Sequence, residues 1–299
     1  MHQSKAYIAA LLAAIFWSLS FIWYKQAFIG FGPATVIFIR FSVSSVLLLS
    51  ISFIIKKLQK IDKKDILAFL LLSLFQPFLY FLAEGYGMDH TSSTTGSVII
   101  STIPIFSTIA ALMFFNEKLS KINLTGIVIS FTGVMLVVKS SGSTAEDTML
   151  GVFLLFGAVF SAVIYSLILK KLSAKYNPIT IVSIQNTIAS FMFLPLFLIF
   201  DLSHFQIAGK QESIIAIIEL SVFGSTLAFL LFTFSIKYIG IARTTVFTNL
   251  IPIFTTISAL IILSEKPDIW KISGIVVVLL GLFLSQTKRW PIKRKTIKT

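Results

Sequence analysis

Three polar side chains recur at intervals of four within an otherwise apolar run of the sequence: Gln76, Tyr80 and Glu84. Residues four apart lie on one face of a helix, so the spacing predicts a polar stripe, which Ser73 extends. If the run crosses a membrane, such a stripe should face the interior of a helix bundle. Glu84 could then bind the ammonium group of a solute or carry a coupling proton, or it could merely reach interfacial water. We interpret Gln76, Tyr80 and Glu84 as candidate substrate-binding residues.

Two prolines, Pro104 and Pro252, fall near the middle of two further apolar runs. Proline lacks an N–H and clashes with the carbonyl four residues back, so each is expected to kink its helix and free a backbone acceptor. In lipid, that acceptor must face protein or a water-filled cavity. The prolines are therefore candidate hinges, with Thr102 and Asn249 beside them as candidate binding residues. The alternative is a packing kink whose carbonyl is satisfied by neighbouring Ser or Thr side chains.

Two runs near the N-terminus carry further candidates. Trp17 shares a face of the first run with Ser20 and Tyr24, at i, i+3 and i+7, and could line a cavity, although Tyr24 could equally be an interface anchor. Arg40 lies toward the outer end of the second run, where many large apolar side chains offset its insertion cost. We expect a structural role for Arg40, either snorkelling outward or paired with Glu84.

Motifs for other kinds of chemistry are missing from the sequence. It contains no G-x-x-x-x-G-K-[ST] phosphate-binding loop and no G-x-S-x-G nucleophile turn. It has no cysteine, and its three histidines are scattered, so no thiolate or histidine metal site is predicted. We therefore expect neither direct ATP use nor enzyme activity, and no cofactor or metal.

The amino-acid composition indicates whether these residues are surrounded by water or by lipid. The 299-residue chain is 56% hydrophobic and only 12% charged, with a mean hydropathy of +0.94, whereas soluble proteins are about 25% charged. A helix needs about 20 apolar residues to cross a bilayer, and ten such runs are present. The predicted fold class is an all-α membrane protein with ten transmembrane helices. The runs are 6–24, 34–55, 66–86, 94–115, 122–138, 150–169, 179–200, 213–236, 244–263 and 270–286.

The basic residues are distributed unevenly between the segments that join these runs. With a cytoplasmic N-terminus, 19 of the 25 Lys and Arg residues fall in inner segments and five in outer segments. This asymmetry follows the positive-inside rule and predicts a multi-pass cell-membrane protein with both termini in the cytoplasm. It also accounts for the net charge of +13 without a nucleic-acid partner, and makes membrane lipid the expected partner of the basic tail.

The chain contains an internal repeat. IPIFSTIAALMFFNEK, residues 103–118, returns as IPIFTTISALIILSEK, residues 251–266, with ten of sixteen positions identical and an offset of 148. Earlier parts of the halves align at an offset of 145. The predicted domains are two five-helix repeats, 1–142 and 150–286, followed by a basic cytoplasmic tail, 287–299. Because five is odd, the second repeat must enter the membrane from the opposite side, which is typical of secondary transporters.

Both copies of the repeat continue beyond this stretch with paired features. The Glu-Lys pairs at 117–118 and 265–266 end the fourth and ninth runs, and we interpret them as structural closures of helix ends. Two glycines seven residues apart follow in each copy, so each pair lies on one helix face and predicts close helix–helix packing. These glycines are Gly126 and Gly133 in the first copy and Gly274 and Gly281 in the second.

Pro-Ile-Phe, Ala-Leu, Glu-Lys and two glycines seven apart, all occurring twice in the same order, resemble the EamA family of the drug/metabolite transporter superfamily. The resemblance covers nearly the whole chain. It implies ten helices with cytoplasmic termini, and a central cavity lined mainly by runs 1, 3, 4, 6, 8 and 9. It also implies export or import of small organic metabolites, often amino acids.

From the inverted repeat and this resemblance we expect a secondary active transporter of a small organic metabolite that works by alternating access. Proton-coupled export is the first hypothesis, and a homodimer is left open. Two alternatives remain, a passive channel and a membrane-embedded enzyme. The sparse polar residues argue against a continuous aqueous path, and the missing catalytic motifs argue against an enzyme.

Topology reporters test the inverted arrangement directly. Alkaline phosphatase fused after residue 142 is expected to be active because that junction should lie outside, whereas a C-terminal fluorescent protein should fold and fluoresce in the cytoplasm. A second phosphatase fusion after residue 175, expected to be inactive, is the matched control. Phosphatase activity at both junctions would contradict the predicted inversion.

Overall fold

The computed structural model describes residues 2–115, 121–141, 148–240 and 244–286. Every regular element within these ranges is helical. The thirteen α-helices described are α1 (His2–Phe28), α2 (Pro33–Ile54), α3 (Ile66–Ser73), α4 (Tyr80–Asp89), α5 (Ser93–Ile100), α6 (Ile103–Phe115), α7 (Lys121–Ser141), α8 (Met149–Ser173), α9 (Pro178–Leu196), α10 (Gln211–Glu219), α11 (Ala228–Ile239), α12 (Ile251–Ile262) and α13 (Ile269–Gln286).

Short segments of different helical geometry join several of these helices. A π-helical segment, Leu74–Leu79, links α3 to α4, and another, Leu220–Leu227, links α10 to α11. A 3₁₀ segment, Thr245–Leu250, leads into α12. Such segments leave the regular α-helical hydrogen-bond pattern and occur often at functional sites.

Six continuous helical stretches in the described part of the chain are long and apolar enough to cross a membrane. They coincide with predicted runs 1, 2, 3, 6, 7 and 8. Runs 5, 9 and 10 are represented by shorter apolar helices, and run 4 is divided into α5 and α6. The chain is therefore an all-helical, multi-pass membrane protein.

The distribution of polarity across the bundle is that of a protein dissolved in lipid. Large apolar side chains such as Phe53 and Ile261 are exposed, at 85% and 73% of their surface. Many Ser and Thr side chains, in contrast, are completely buried. Lipid cannot hydrogen-bond these hydroxyls, so they must find partners inside the protein.

Helices α2 and α9 run antiparallel and are joined by hydroxyl pairs. Ser42 and Ser190 lie 2.7 Å apart between their Oγ atoms, and Ser45 and Thr187 lie 2.7 Å apart. Adding 145 to Ser42 gives Thr187, and adding 145 to Ser45 gives Ser190, so the repeat exchanges the two pairs. The first half therefore contacts the second half in the same way as the second contacts the first.

The ends of these two helices are also held reciprocally. At one end, Asp201 beyond α9 accepts hydrogen bonds of 2.7 Å from both the backbone N–H and the hydroxyl of Thr35 in α2. At the other end, the backbone N–H of Gln59 beyond α2 donates to the Thr180 hydroxyl in α9 at 2.9 Å. Thr35 and Thr180 are themselves related by the offset of 145, so each helix begins where its partner ends.

An ionic cluster reinforces this contact near the end of α2 and the start of α9. Lys175, just beyond α8, donates to the carboxylates of Asp62 and Asp65. These hydrogen bonds raise the pKa of Lys175 above its ordinary value. The cluster ties the segment after α2 to the segment before α9.

Helices α7 and α13 approach so closely that only glycine fits at their contact points. A Cβ atom on Gly126 would lie 2.2 Å from the backbone nitrogen of Ser285, and one on Gly281 would lie 2.3 Å from that of Ser130. Gly133 and Gly274 meet in the same way about two turns further along this helix pair. The close packing predicted from the paired glycines is confirmed, with the two pairs facing each other.

A matched pair of glycine substitutions tests this packing. Gly126→Ala should destabilise the protein by about 1–3 kcal/mol, because overpacking forces the backbones apart. Gly157→Ala should leave stability unchanged or raise it by up to about 1 kcal/mol, because its nearest neighbour would lie 3.8 Å away and alanine favours helix. The measurement is thermal unfolding in detergent, and equal effects of both substitutions would contradict the contact.

Candidate functional site

Arg40 on α2 is one of the largest fully buried side chains in the described structure, with 1% of its surface exposed. Its Nη1 donates to the Tyr24 hydroxyl at 2.8 Å, and its Nε donates to the Ser225 hydroxyl. The guanidinium carbon lies 4.4 Å from the centre of the Phe81 ring, a distance at which a cation is attracted to an aromatic face. The prediction that Arg40 snorkels outward is wrong, because these groups solvate it inside the bundle.

Glu84 on α4 is a second buried ionisable residue near Tyr24. Glu84 is 5% exposed, and its carboxylate accepts a hydrogen bond of 2.7 Å from the Tyr80 hydroxyl. The Tyr24 hydroxyl, which accepts from Arg40, lies close to the Glu84 carboxylate. No direct ion pair joins Arg40 to Glu84 in the described structure, and Tyr24 lies next to both of these side chains. We refer to Tyr24, Arg40, Tyr80, Glu84 and Ser225 as the Arg40–Glu84 network.

Four parts of the fold bring this network together. Tyr24 comes from α1, Arg40 from α2, Tyr80 and Glu84 from α4, and Ser225 from the π-helical segment Leu220–Leu227. The π-helical geometry changes the direction in which Ser225 points relative to a regular helix. Ser225 belongs to the second half of the chain and the other four residues to the first, so the network spans both halves.

The lack of a side chain at Gly224, next to Ser225, leaves room for the Arg40 guanidinium. A Cβ atom on Gly224 would lie 2.6 Å from the Ser20 hydroxyl and 3.1 Å from Arg40 Nη2. The Gly224 carbonyl accepts a hydrogen bond of 3.3 Å from the Trp17 indole N–H. Trp17, a predicted binding residue, therefore lies next to the network although it does not contact the charged groups directly.

The predicted polar stripe on run 3 is only partly correct. Tyr80 and Glu84 do lie one turn apart on α4, but Gln76 has an extended backbone conformation, with φ −148° and ψ 122°. Pro77 follows it and supplies no N–H to the helix, so the regular spacing from Gln76 to Glu84 does not hold. The Ser161 hydroxyl satisfies the Phe75 carbonyl at this break. Gln76 is 8% exposed and makes no hydrogen bond to Tyr80 or Glu84.

The first proline break is also built differently from the prediction. Run 4 is interrupted at Ser101 and Thr102, and Pro104 is the second residue of the new helix α6. The Thr102 hydroxyl donates to the Ile99 carbonyl at 2.6 Å, and the Ser101 hydroxyl donates to the Val98 carbonyl at 2.7 Å. Pro104 therefore begins a helix after a break, where its missing N–H is unneeded, instead of kinking a continuous one.

The second proline repeats this arrangement. Pro252 lies in the first turn of α12, directly after the 3₁₀ segment Thr245–Leu250. Asn249 lies within that segment and is partly buried. Both predicted hinge residues thus mark changes in helical geometry, while Thr102 and Asn249 lie outside the Arg40–Glu84 network. Their proposed role in binding stays a prediction.

The second half has an uncharged residue, Gln185, at the position equivalent to Arg40, and it also hydrogen-bonds a tyrosine. Gln185 occupies the position of Arg40 in the repeat, and its Oε1 accepts a hydrogen bond of 3.3 Å from Tyr165 on α8. In each half, the residue at this position therefore bonds a tyrosine from the first helix of that half. Only the first half carries a charge here, so the two halves are chemically unequal at equivalent positions.

Sequence reasoning weighed Arg40 and Tyr24 but did not place them in the binding site, and it did not consider Ser225. Tyr24 looked like an interface anchor because it ends the first apolar run. No local pattern marks Ser225, because its role depends on a π-helical segment and on the contact with α2. One chemical rule could have identified the site from the sequence. A charged residue inside an apolar run, such as Arg40, needs a buried partner.

Comparison with known proteins follows this geometry. The model described as the EamA-like transporter family matches residues 4–139 and 149–287. An uncharacterized transporter of Archaeoglobus fulgidus is 27% identical over 285 residues, covering 95% of this chain and all of the relative. The uncharacterized transporter YetK of Bacillus subtilis is 27% identical, covering 84% of this chain and 77% of the relative. A crystal structure of a protein superimposes with a TM-score of 0.69 at 11% identity, covering 95% and 97% of the two chains.

A double-mutant cycle tests the energetic link between the opposite charges. Arg40→Gln should destabilise the protein by about 3–5 kcal/mol, because removing one partner leaves a buried charge uncompensated. Adding Glu84→Gln should restore part of that loss, giving a coupling energy of about 0.5–3 kcal/mol. Thermal unfolding in detergent measures each variant. Glu219→Gln, outside the network, is the control and should not rescue Arg40→Gln; strictly additive losses would contradict the link.

Proposed function

The chain belongs to the EamA-like transporter family, and on this premise we propose that it is a secondary active transporter of small organic metabolites such as amino acids. In this proposal, ten transmembrane helices form two inverted five-helix repeats in the cell membrane, with both termini in the cytoplasm. The protein works by alternating access, and proton-coupled export is the favoured direction and coupling.

The observation that carries the proposal is the Arg40–Glu84 network. Ionisable residues inside a membrane bundle are costly to bury and are functional candidates by default. Here a buried cation and a buried carboxylate each contact a tyrosine hydroxyl, and the cation also contacts Ser225 of the other half. A site shared by two repeats is the arrangement that alternating access requires.

The network offers complementary groups to a solute. No hydrogen bond from Arg40 Nη2 to any described residue is found, so this donor remains for a carboxylate or carbonyl oxygen of a bound molecule. Glu84 can accept from an ammonium group or hold a proton. Proton binding at Glu84 would alter its attraction for Arg40 and for a cationic solute, which links the carboxylate to coupling.

The reciprocal contacts between the halves support the inverted repeat. The hydroxyl pairs of α2 and α9 and the glycine contacts of α7 and α13 are each exchanged by the sequence offset. Such exchange is expected if a pseudo-two-fold axis relates the repeats. The breaks in runs 3 and 4 and the irregular segments in runs 8 and 9 support a site at mid-membrane, where discontinuous helices form the sites of many transporters.

A transport assay tests the proposal. Purified protein in liposomes is given a panel of labelled amino acids and other small metabolites, with and without a pH gradient. The wild type should show counterflow, in which unlabelled solute on one side accelerates movement of labelled solute from the other. Counterflow distinguishes a carrier from a channel, and a solute returned chemically altered would favour the enzyme alternative.

Substitution of the carboxylate tests proton coupling. Glu84→Gln should retain counterflow but lose the effect of the pH gradient on net flux, because the amide cannot exchange a proton. Glu219→Gln, a membrane-embedded control outside the network, should retain both activities. Proton-dependent flux that persists in Glu84→Gln would contradict the coupling role. No exchange of any solute by the folded wild type would contradict the transport proposal.

A further inference from the structure

Glu265 makes a contact between two parts of the fold that its position in the sequence does not reveal. Its carboxylate accepts hydrogen bonds from the backbone N–H groups of Ser93 and Thr94, at 3.0 and 3.4 Å, and from the Thr94 hydroxyl at 3.0 Å. Ser93 and Thr94 begin α5, 172 and 171 residues away in the chain. A residue that follows α12 in the second half therefore binds the N-terminus of a helix in the first half.

The backbone after α12 directs Glu265 toward α5. Ser264 has a left-handed conformation, with φ 56°, which reverses the chain directly after the helix. The Glu265 backbone N–H then returns to the Ala259 carbonyl at 3.1 Å, which fixes the turn against α12. The repeat places Asn116 at the equivalent position of the first half, and asparagine tolerates this conformation better than most residues. Asn116 lies outside the described residues.

The contact between the Glu265 carboxylate and the start of α5 is electrostatically favourable, and water could replace the carboxylate there. A carboxylate at a helix N-terminus is stabilised by the exposed N–H groups and by the helix dipole. Ser92 already serves as the local cap, its hydroxyl accepting from the Thr95 N–H at 3.3 Å. In the orientation that the charges predict, the contact lies at the outer membrane surface, where water could replace the carboxylate when the helices separate.

A second bond joins the same two regions. Lys271 on α13 donates from its Nζ to the Ser92 hydroxyl at 3.0 Å. Lys271 is buried, with 6% of its surface exposed. The outer end of α5 is thus held by the segment after α12 and by α13, and both belong to the opposite half of the chain.

We propose that Glu265 is a latch that holds the outer ends of α5 and α12 together in the outward-closed state. The proposal rests on the proposed alternating-access function and adds the residue that controls its outer opening. For the site to open outward, the outer ends of the fourth and ninth runs must separate, and the contact of Glu265 with α5 must then break. Weakening this contact should shift the population toward the outward-open state, since a conformational equilibrium follows the contacts that differ between its states.

Spin-label distances measure the predicted shift, and the absence of native cysteine makes labelling simple. The outer pair is Asp89→Cys with Lys266→Cys, and the inner pair is Lys121→Cys with Lys237→Cys; all four native side chains are exposed. Pulsed electron resonance on protein in lipid nanodiscs gives the distance distribution of each pair. Each pair is examined with and without the latch substitution.

Glu265→Gln should lengthen the outer distances and shorten the inner ones, because opening one side of an alternating-access carrier closes the other. Thr94→Val, which removes one of the three bonds and no charge, should produce a smaller shift in the same direction. Glu212→Gln is the control, because it removes an exposed carboxylate from the same membrane face. It should leave both distributions unchanged.

Two results would overturn the latch. The first is that Glu265→Gln gives the same distance distributions as the wild type for both pairs. The second is that the outer and inner distance distributions of Glu265→Gln broaden together, which would indicate loosened packing. A wild type that shows counterflow while Glu265→Gln leaves the distances unchanged would refute the latch alone. Reciprocal shifts in Glu265→Gln, with no solute exchanged by the wild type, would support the latch and refute the transport proposal.

Discussion

The lack of water in the bilayer core is the constraint from which the rest of this structure follows. Each buried polar group must find its partner within the protein, because an unsatisfied group costs several kcal/mol in hydrocarbon. The hydroxyl pairs between α2 and α9 meet this requirement for side chains. The Ser161 hydroxyl on the Phe75 carbonyl meets it for a backbone acceptor at a helix break. Polar groups thus become the contacts that align helices, while apolar side chains face lipid.

The same constraint explains how a charge is kept inside the bundle. Arg40 is surrounded by the hydroxyls of Tyr24 and Ser225 and by the face of Phe81, and Glu84 lies close to Tyr24. Each of these groups comes from an element that a relative movement of the two halves could displace. Because the network takes its hydrogen-bond partners from both halves, it is sensitive to their arrangement, and the proposed function requires this property of its site.

Much of the architecture could be predicted from local patterns, while the details of the site could not. Apolar runs and the internal repeat predicted the membrane helices, and the glycines seven apart predicted the α7–α13 contact. The stripe from Gln76 to Glu84 failed at Gln76, because the prediction assumed a continuous helix and gave Pro77 no weight. Glu265 was interpreted as closing its own helix, whereas its carboxylate binds the start of α5. Its partner Glu117–Lys118, the central part of the linker and the basic tail lie outside the described residues.

The sequence by itself determined that the protein is surrounded by lipid, that it is helical and that it has two related halves. These features follow from hydropathy, charge asymmetry and repeated spacing, which are properties of the chain read in order. It also determined family membership through those repeated motifs. Only the tertiary structure decided that Arg40 is buried, that it binds the Tyr24 hydroxyl, and that Ser225 binds it from the other half. These facts depend on which faces of distant helices meet and on helical breaks that alter side-chain direction. No local spacing encodes such meetings, since the partners are separated by up to 185 residues.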